Sequence, residues 1–328
     1  MKNIYLLFVL FNLYLGYTLN AQSSKTTKNN YNLKELRYGN YKFINPLLDC
    51  YDLKSSSLNS NKQLQLKLNE YIKKAISGNL AKSVAVYYRD LNNGPWIGIK
   101  EDDIYSPASL LKVPYLFAVL YQAQSDTLFL EKKVTCTKNS SYFNEGIRDG
   151  FQLIQGNSYS IDELLSAMII HSSNIAKDML MKNLTSKSYY EIFNELGIDI
   201  AKYDTLLTTD FLSVKDYASF FRVLYNATFL NKEMSEKALT LLSQTTFRDG
   251  IVAGVPDNVS VSHKFGERFY ADSKLKQLHD CGIIYKPNQP YILCIMTKGE
   301  DNKKLETIIA DISRLVYLHL NKTNNSTN

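Results

Sequence analysis

Segments with the alternation and turn chemistry of strands lie near the two ends of this chain, and helical periodicity fills the interval between them. Ser83-Val84-Ala85-Val86-Tyr87-Tyr88 and Trp96-Ile97-Gly98-Ile99 flank an Asn92-Asn93-Gly94 turn and read as a hairpin. Toward the far end, Ser260 to Gly266 reads as a strand that stops at its glycine. Cys281 to Tyr285 and Tyr291 to Met296 then flank Lys286-Pro287-Asn288-Gln289-Pro290 as a second hairpin. Helices are expected over Leu64 to Ile76, Tyr189 to Leu196, Val214 to Leu224, Glu233 to Leu242 and Leu305 to Leu320. Another follows the capping box Ser160-Ile161-Asp162-Glu163, with Ile161, Leu164, Leu165, Met168 and Ile169 on one face. Two early strands and three late ones close into one sheet assembled from both chain ends. The expected fold class is therefore α/β (α+β): an antiparallel five-stranded sheet flanked by terminal helices, plus an inserted all-helical region.

Hydrophobic residues make up 45% of the 328, enough for a substantial core, and the domain is expected over 61–321. The net charge of +6 comes from scattered Lys and Arg, which argues against a nucleic-acid partner. Met1 to Ala21 has Lys2 as its charged residue, an apolar run from Ile4 to Gly16, and a small-residue end, the pattern of a secretory signal peptide. The protein is thus expected to be exported from a bacterium, periplasmic or secreted. That run is shorter than the roughly 20 apolar residues of a spanning helix, so membrane contact is expected only through this segment if it stays uncleaved. Residues 22–60 read as a tether and lead-in, with Tyr41 to Tyr51 apolar enough to dock, and 322–328 as a disordered tail. Cys50, Cys136, Cys281 and Cys294 have no C-x-x-C spacing, which argues against a zinc or redox site. Cys281 and Cys294 fall on the two strands of one hairpin, as a disulfide or as small buried hydrophobes.

Ser109-Leu110-Leu111-Lys112 opens the apolar run Val113 to Leu120. A helix beginning at Ser109 puts Lys112 one turn later on the same face. Loss of hydration among apolar neighbours favours a neutral amine, which can take a proton from the serine hydroxyl. A second copy of the pattern, Ser273 to Lys276, lies in a charged, loop-like stretch. Farther on, His171-Ser172-Ser173-Asn174 places polar residues between two apolar helical faces, with Asn174 as the expected cap of the second. His171 and His263 adjoin these polar clusters, and ring packing with ordinary hydrogen bonding is the expected role of both.

Ser109-x-x-Lys112, Ser172-x-Asn174 and Lys264-x-Gly266 occur in that order. This set resembles the three motifs of the penicillin-recognising serine hydrolases, the class A β-lactamases and low-molecular-weight penicillin-binding proteins. The phrases around Pro107 to Pro114 and from Gly282 to Gly299 are similar to the class A branch. The resemblance implies a β-lactamase/transpeptidase-like fold, a monomer, and a β-lactam or peptidoglycan peptide as substrate, with no metal or cofactor. It makes Ser109 the acylated nucleophile, Lys112 its base or relay, and Ser172 the donor to the leaving nitrogen. Asn174 and Lys264 would bind substrate, Gly266 would let it lie against the strand, and the backbone N–H groups of Ser109 and Glu267 would form the oxyanion hole. Two departures stand out. Phe265 replaces the family's hydroxyl residue. Between Gly197 and Ala218 there is no Glu for a deacylating water, only Asp199, Asp204, Asp210 and Asp216. Slow deacylation follows, so a D-Ala-D-Ala carboxypeptidase and a non-enzymatic penicillin-sensing module stand as alternatives to β-lactam hydrolysis.

Overall fold

A computed structural model describes residues 41–46, 55–92, 94–126, 128–137, 151–185, 189–198, 210–270 and 273–325. The expected signal peptide, Cys50, Asp199 and Asp204 lie outside them. In chain order the elements begin with α1 (Ser55–Ser77), β1 (Ser83–Asp90), β2 (Trp96–Ile99), β3 (Ile104–Tyr105) and α2 (Lys112–Ser125). The middle holds β4 (Lys133–Thr135), β5 (Ser158–Ser160), α3 (Ile161–Ile170), α4 (Asn174–Met181), α5 (Tyr189–Glu195), β6 (Leu212–Ser213), α6 (Val214–Tyr225) and α7 (Lys232–Ser243). The chain closes with β7 (Val261–Phe269), β8 (Lys276–Ile284), β9 (Tyr291–Gly299) and α8 (Asn302–Asn325).

The five long strands form one antiparallel sheet in the order β2-β1-β9-β8-β7, so both chain ends meet where β1 pairs with β9. Alternation along these strands sorts their side chains into two cores. Val84, Val86, Leu293 and Ile295 face Leu64, Leu68 and Ile72 of α1 and Ile308, Ile312 and Val316 of α8. Ala85, Tyr87, Ile292, Cys294 and Met296 face the helical region instead. Helices cover both faces, which is why these strands read as nearly continuous apolar runs. Each fully buried Leu, Ile or Phe contributes about 1.5–3 kcal/mol.

Most elements keep the boundaries their periodicity implies; α1, β7, β8, which starts at Lys276 ahead of Cys281, and α8 run longer. Helix α1 starts at Ser55, ahead of Leu64, because Ser55 to Asn61 carries a single apolar residue to reveal it. Strand β7 runs past Gly266 to Phe269, held by pairing with β8 to Lys276. Helix α8 continues to Asn325, into the stretch expected as a tail. Cys281 and Cys294 face each other in the β8–β9 register and form a disulfide.

The lead-in docks through residues 41–46. Phe43 and Ile44 are buried, and the ring of Phe43 meets that of Tyr285 edge-on at 5.1 Å. The backbone N–H groups of Lys42, Phe43 and Ile44 donate to the Glu236 carboxylate at 2.8, 3.0 and 3.0 Å. Glu236→Ala is expected to cost about 1–3 kcal/mol, because three donors lose one acceptor. Amide hydrogen exchange at residues 42–44 checks it: protection that stays unchanged would place the anchor in Phe43 and Ile44 alone.

Candidate active site

Ser109 does not begin an α-helix. It lies in a 3-10 turn, Ala108–Leu111, and α2 begins at Lys112. The tighter turn strengthens the pairing, since residues three apart eclipse on a 3-10 turn. Lys112 Nζ lies 3.1 Å from Ser109 Oγ. Pro114 falls in the first turn of α2, where its missing N–H leaves no helical bond unmade. The turn is pinned from behind, with Tyr217 OH donating to Leu110 O at 2.9 Å and Ser106 N–H donating to Gln277 Oε1 at 3.0 Å.

Ser172 occupies the turn between α3 and α4 with φ of 59°, in the left-handed region. Ala108, next to Ser109, has φ of 48°. Non-glycine residues pay about 1–3 kcal/mol there, and such strain gathers at functional sites. The cap of α4 is Ser173, whose Oγ accepts from Ala176 N–H at 3.2 Å, and not Asn174. Asn174 is instead the first residue of α4, half-buried beside that cap. A serine at the cap accepts from the helix N–H without competing for the next position, which leaves Asn174 inside the helix.

The three motifs converge on Ser172. Lys112 Nζ donates to its carbonyl oxygen and lies 3.0 Å from its Oγ. Lys264 Nζ reaches the same Oγ at 3.0 Å from strand β7. One hydroxyl therefore sits between two amines from elements far apart in the chain. Lys112 is 3% exposed and Lys264 0%. Burial lowers the Lys264 ammonium to about 7, opposed by the nearby Asp280 carboxylate, which favours its charged form. Gly266 shares Lys264's strand face, and a Cβ there would stand 2.7 Å from Pro107 O and 3.2 Å from Leu110 N. Only glycine lets β7 approach the Ser109 turn this closely. Glu267 turns its carboxylate to Asn302 Nδ2 at the start of α8, away from Lys264's side of the strand. Phe265 is buried and stacks on Phe247.

Both histidines beside the motifs pack as expected: His171 stacks on Phe151 with centroids 4.1 Å apart, and His263 Nδ1 lies 2.8 Å from Asp280 Oδ1. Of the loop aspartates, Asp216 caps α6 with Ser213, and Asp210 pairs with Lys298 at 2.7 Å. Burial raises the Asp210 carboxyl, but Lys298, Gln277 and Tyr270 outweigh it and hold the group below its usual range. The second Ser-x-x-Lys copy is a turn before β8, where Ser273 Oγ accepts from Leu275 N–H.

Sequence reasoning passed over His279 and Gln277, which support Ser106 from β8. His279 Nε2–H donates to Ser106 O at 3.0 Å, and its Nδ1 accepts from Thr297 N–H at 3.3 Å. Burial lowers this imidazole to about 4. The unfolded chain therefore binds a proton that the folded chain refuses between pH 6.5 and 4, so stability falls as pH drops through that window, by about 3 kcal/mol. Thermal melts across that range check it, and His279→Gln is expected to flatten the slope.

The beta-lactamase enzyme family model matches residues 67–320. A beta-lactamase from Streptomyces albus G is 22% identical over 252 residues, covering 71% of this chain and 78% of that one. A mutant of PBP-A, solved as its acyl-enzyme complex with penicillin-G, superposes with a TM-score of 0.65 at 20% identity, over 80% of this chain and 97% of that one. A class A beta-lactamase from Bacteroides cellulosilyticus gives a TM-score of 0.68 at 21% identity, over 79% of this chain and 99% of that one. The sheet closed from both chain ends is thus the β-lactamase and penicillin-binding-protein fold, and the chain belongs to the beta-lactamase enzyme family.

Proposed function

We propose that this protein is an exported serine acyl hydrolase that cleaves β-lactams or related amides and esters through an acyl-Ser109 intermediate. The observation that carries the reading is Lys112 Nζ, within hydrogen-bond reach of both Ser109 Oγ and Ser172 Oγ. Acting as a neutral amine, Lys112 takes the Ser109 proton as Oγ attacks the carbonyl carbon. Ser172, held between Lys112 and Lys264, passes a proton to the leaving atom as its bond to carbon breaks. The backbone N–H groups of Ser109 and Glu267, on the turn and the strand that Gly266 lets approach closely, serve as donors to the developing oxyanion. Asn174 and Lys264 hold the substrate on either side. The Cys281–Cys294 disulfide supports an oxidising, extracytoplasmic location, periplasmic or secreted.

A second reading, a D-Ala-D-Ala carboxypeptidase or penicillin-binding module with slow deacylation, is favoured by the engagement of Asp210 and Asp216 in other bonds. Intact-protein mass after mixing with a fluorescent penicillin and with a reactive aryl ester tests both. An adduct on Ser109 supports the acyl-enzyme, its rapid loss with product release supports hydrolysis, and its persistence supports the penicillin-binding reading. No adduct from either probe would falsify the proposal. Lys112→Met is expected to slow adduct formation by about 10²–10⁴-fold, read from the same mass time course.

A further inference from the structure

Ser106 joins β3 to the Ser109 turn, and side chains of β8 hold its backbone on both sides. Its N–H donates to Gln277 Oε1 at 3.0 Å, and its carbonyl oxygen accepts from His279 Nε2–H at 3.0 Å. Ser106, Gln277 and His279 are all fully buried. Two residues separate this anchor from Ser109. Pro107 has its φ fixed by its ring, and Ala108 sits in the left-handed region with φ of 48°. A strained backbone of that kind persists only where its surroundings over-determine it. Here the turn is gripped at Ser106 by β8 and at Leu110 O by Tyr217 OH. Loosening the grip at Ser106 lets Ala108 relax, and Ser109 Oγ then leaves its place beside Lys112 Nζ.

The grip depends on which way the Gln277 amide faces. Ser106 N–H is a donor and requires the amide oxygen, which also lies 3.2 Å from His279 Nε2. The other end of the amide, Nε2, donates to Asp210 Oδ1 at 2.9 Å and to Tyr270 OH at 2.5 Å. A carboxylate accepts and cannot donate, so Asp210 takes the NH₂ end and turns the oxygen toward Ser106. Asp210 is itself fixed, by Lys298 Nζ at 2.7 Å from Oδ2 and by Tyr270 OH donating to Oδ1 at 3.0 Å. The next residue, Phe211, donates its N–H to Tyr105 O at 3.0 Å, directly before Ser106.

We infer that Gln277 is a positioning residue for acylation: Asp210 sets the direction of its amide, and the amide holds the strained turn that keeps Ser109 Oγ on Lys112. The inference rests on the acyl-Ser109 reading and assigns part of its rate to Asp210 and β8. Gln277 acts through Ser106, three residues before the serine that reacts.

The test follows nitrophenol release from 4-nitrophenyl phenylacetate by the full chain, with intact mass and peptide mapping to count acylated Ser109. Its dependence on ester concentration separates the limiting acylation rate from the half-saturation concentration. Gln277→Met, of similar length but without the amide, is expected to lower the limiting rate about 10²-fold, the effect of misplacing a reacting atom by about 1 Å. The half-saturation concentration is expected to stay near the parent's. Gln277→Glu sets two carboxylates against each other and is expected to slow the same rate. Combining it with Asp210→Asn restores one carboxylate and one amide in reversed order, so that position 277 accepts from Ser106 N–H and position 210 donates to position 277. That pair is expected to acylate at least about tenfold faster than Gln277→Glu alone. Thermal melts identify the folded variants, and recovery of the rate by a second substitution is an effect that packing alone does not produce. The Gln277→Glu comparison stands as a test by itself if Gln277→Met does not fold. Folded Gln277 variants that acylate as fast as the parent, or that lose only in half-saturation concentration, would overturn the inference while leaving the acyl-Ser109 reading in place. A pair no faster than Gln277→Glu would overturn the orienting role of Asp210. A parent whose Ser109 takes up no acyl group from the ester would overturn the acyl-enzyme reading itself.

Discussion

Ser109→Ala is expected to eliminate adduct formation from both the penicillin and the aryl ester, a loss of about 10⁴-fold or more, while the protein melts close to the parent. The chemical reason is that Ser109 supplies the one hydroxyl of its turn, Ala108–Leu111. Ser172 Oγ lies between two amines, 3.0 Å from each, whereas Ser109 Oγ is hydrogen-bonded to Lys112 Nζ at 3.1 Å. The fold is expected to tolerate the change because Lys112 Nζ keeps the Ser172 carbonyl and hydroxyl as acceptors, so no buried ammonium is left stranded. Ser273→Ala serves as the control, since that hydroxyl only closes a surface turn. Intact mass with peptide mapping reads the result. An adduct that survives Ser109→Ala and maps to Ser172 would reverse the roles of the two serines.

Asp280→Ala is expected to destabilise the protein by about 3–5 kcal/mol, lowering its melting temperature by about 10 °C. Asp280 is buried, with one carboxylate oxygen 2.8 Å from His263 Nδ1 and the other accepting from Ile251 N–H at 2.9 Å. It thereby joins β8 to β7 and to the 3-10 turn Ile251–Gly254, which Ser313 of α8 grips through Ile251 O at 2.7 Å. Truncation leaves two buried nitrogens without an acceptor. The site is affected as well, because Asp280 is the carboxylate that favours the charged form of Lys264. The chain makes room for this carboxylate with Gly250, where a Cβ would stand 2.1 Å from Asp280 Oδ2. Asp280→Asn keeps an acceptor for one of the two nitrogens and is expected to lose less. Thermal melts at neutral pH check both, and an Asp280→Ala midpoint within about 2 °C of the parent would assign this joint to apolar packing.

Much of the architecture was legible because strand alternation and helical periodicity are written within short windows. Val84 and Val86 against Ala85 and Tyr87 already separate the two cores, and the Ser160–Glu163 capping box marks the start of α3. The same windows misjudged local choices that differ by little energy. The turn at Ser109 is 3-10 where the pattern suggested α, and Ser173 caps α4 where Asn174 was equally suited. Both choices are decided by neighbours: Tyr217 and Gln277 hold the first turn, and the left-handed backbone of Ser172 sets the second.

The sequence by itself marked three motifs, because Ser109 with Lys112, Ser172 with Asn174, and Lys264 with Gly266 are short patterns at element ends. It also marked Phe265 as the departure. Only the tertiary structure decided where that departure packs. The partner that fixes Phe265, Phe247, comes from another stretch of chain, and the ring closes over an ammonium that already serves Ser172. The dyad of His263 and Asp280 and the support of Ser106 by Gln277 and His279 were decided in the same way. Periodicity reports which face of an element is buried. It does not report which distant group meets that face, and a hydrogen bond, an ion pair or a covered charge exists only once the sheet has brought the two together.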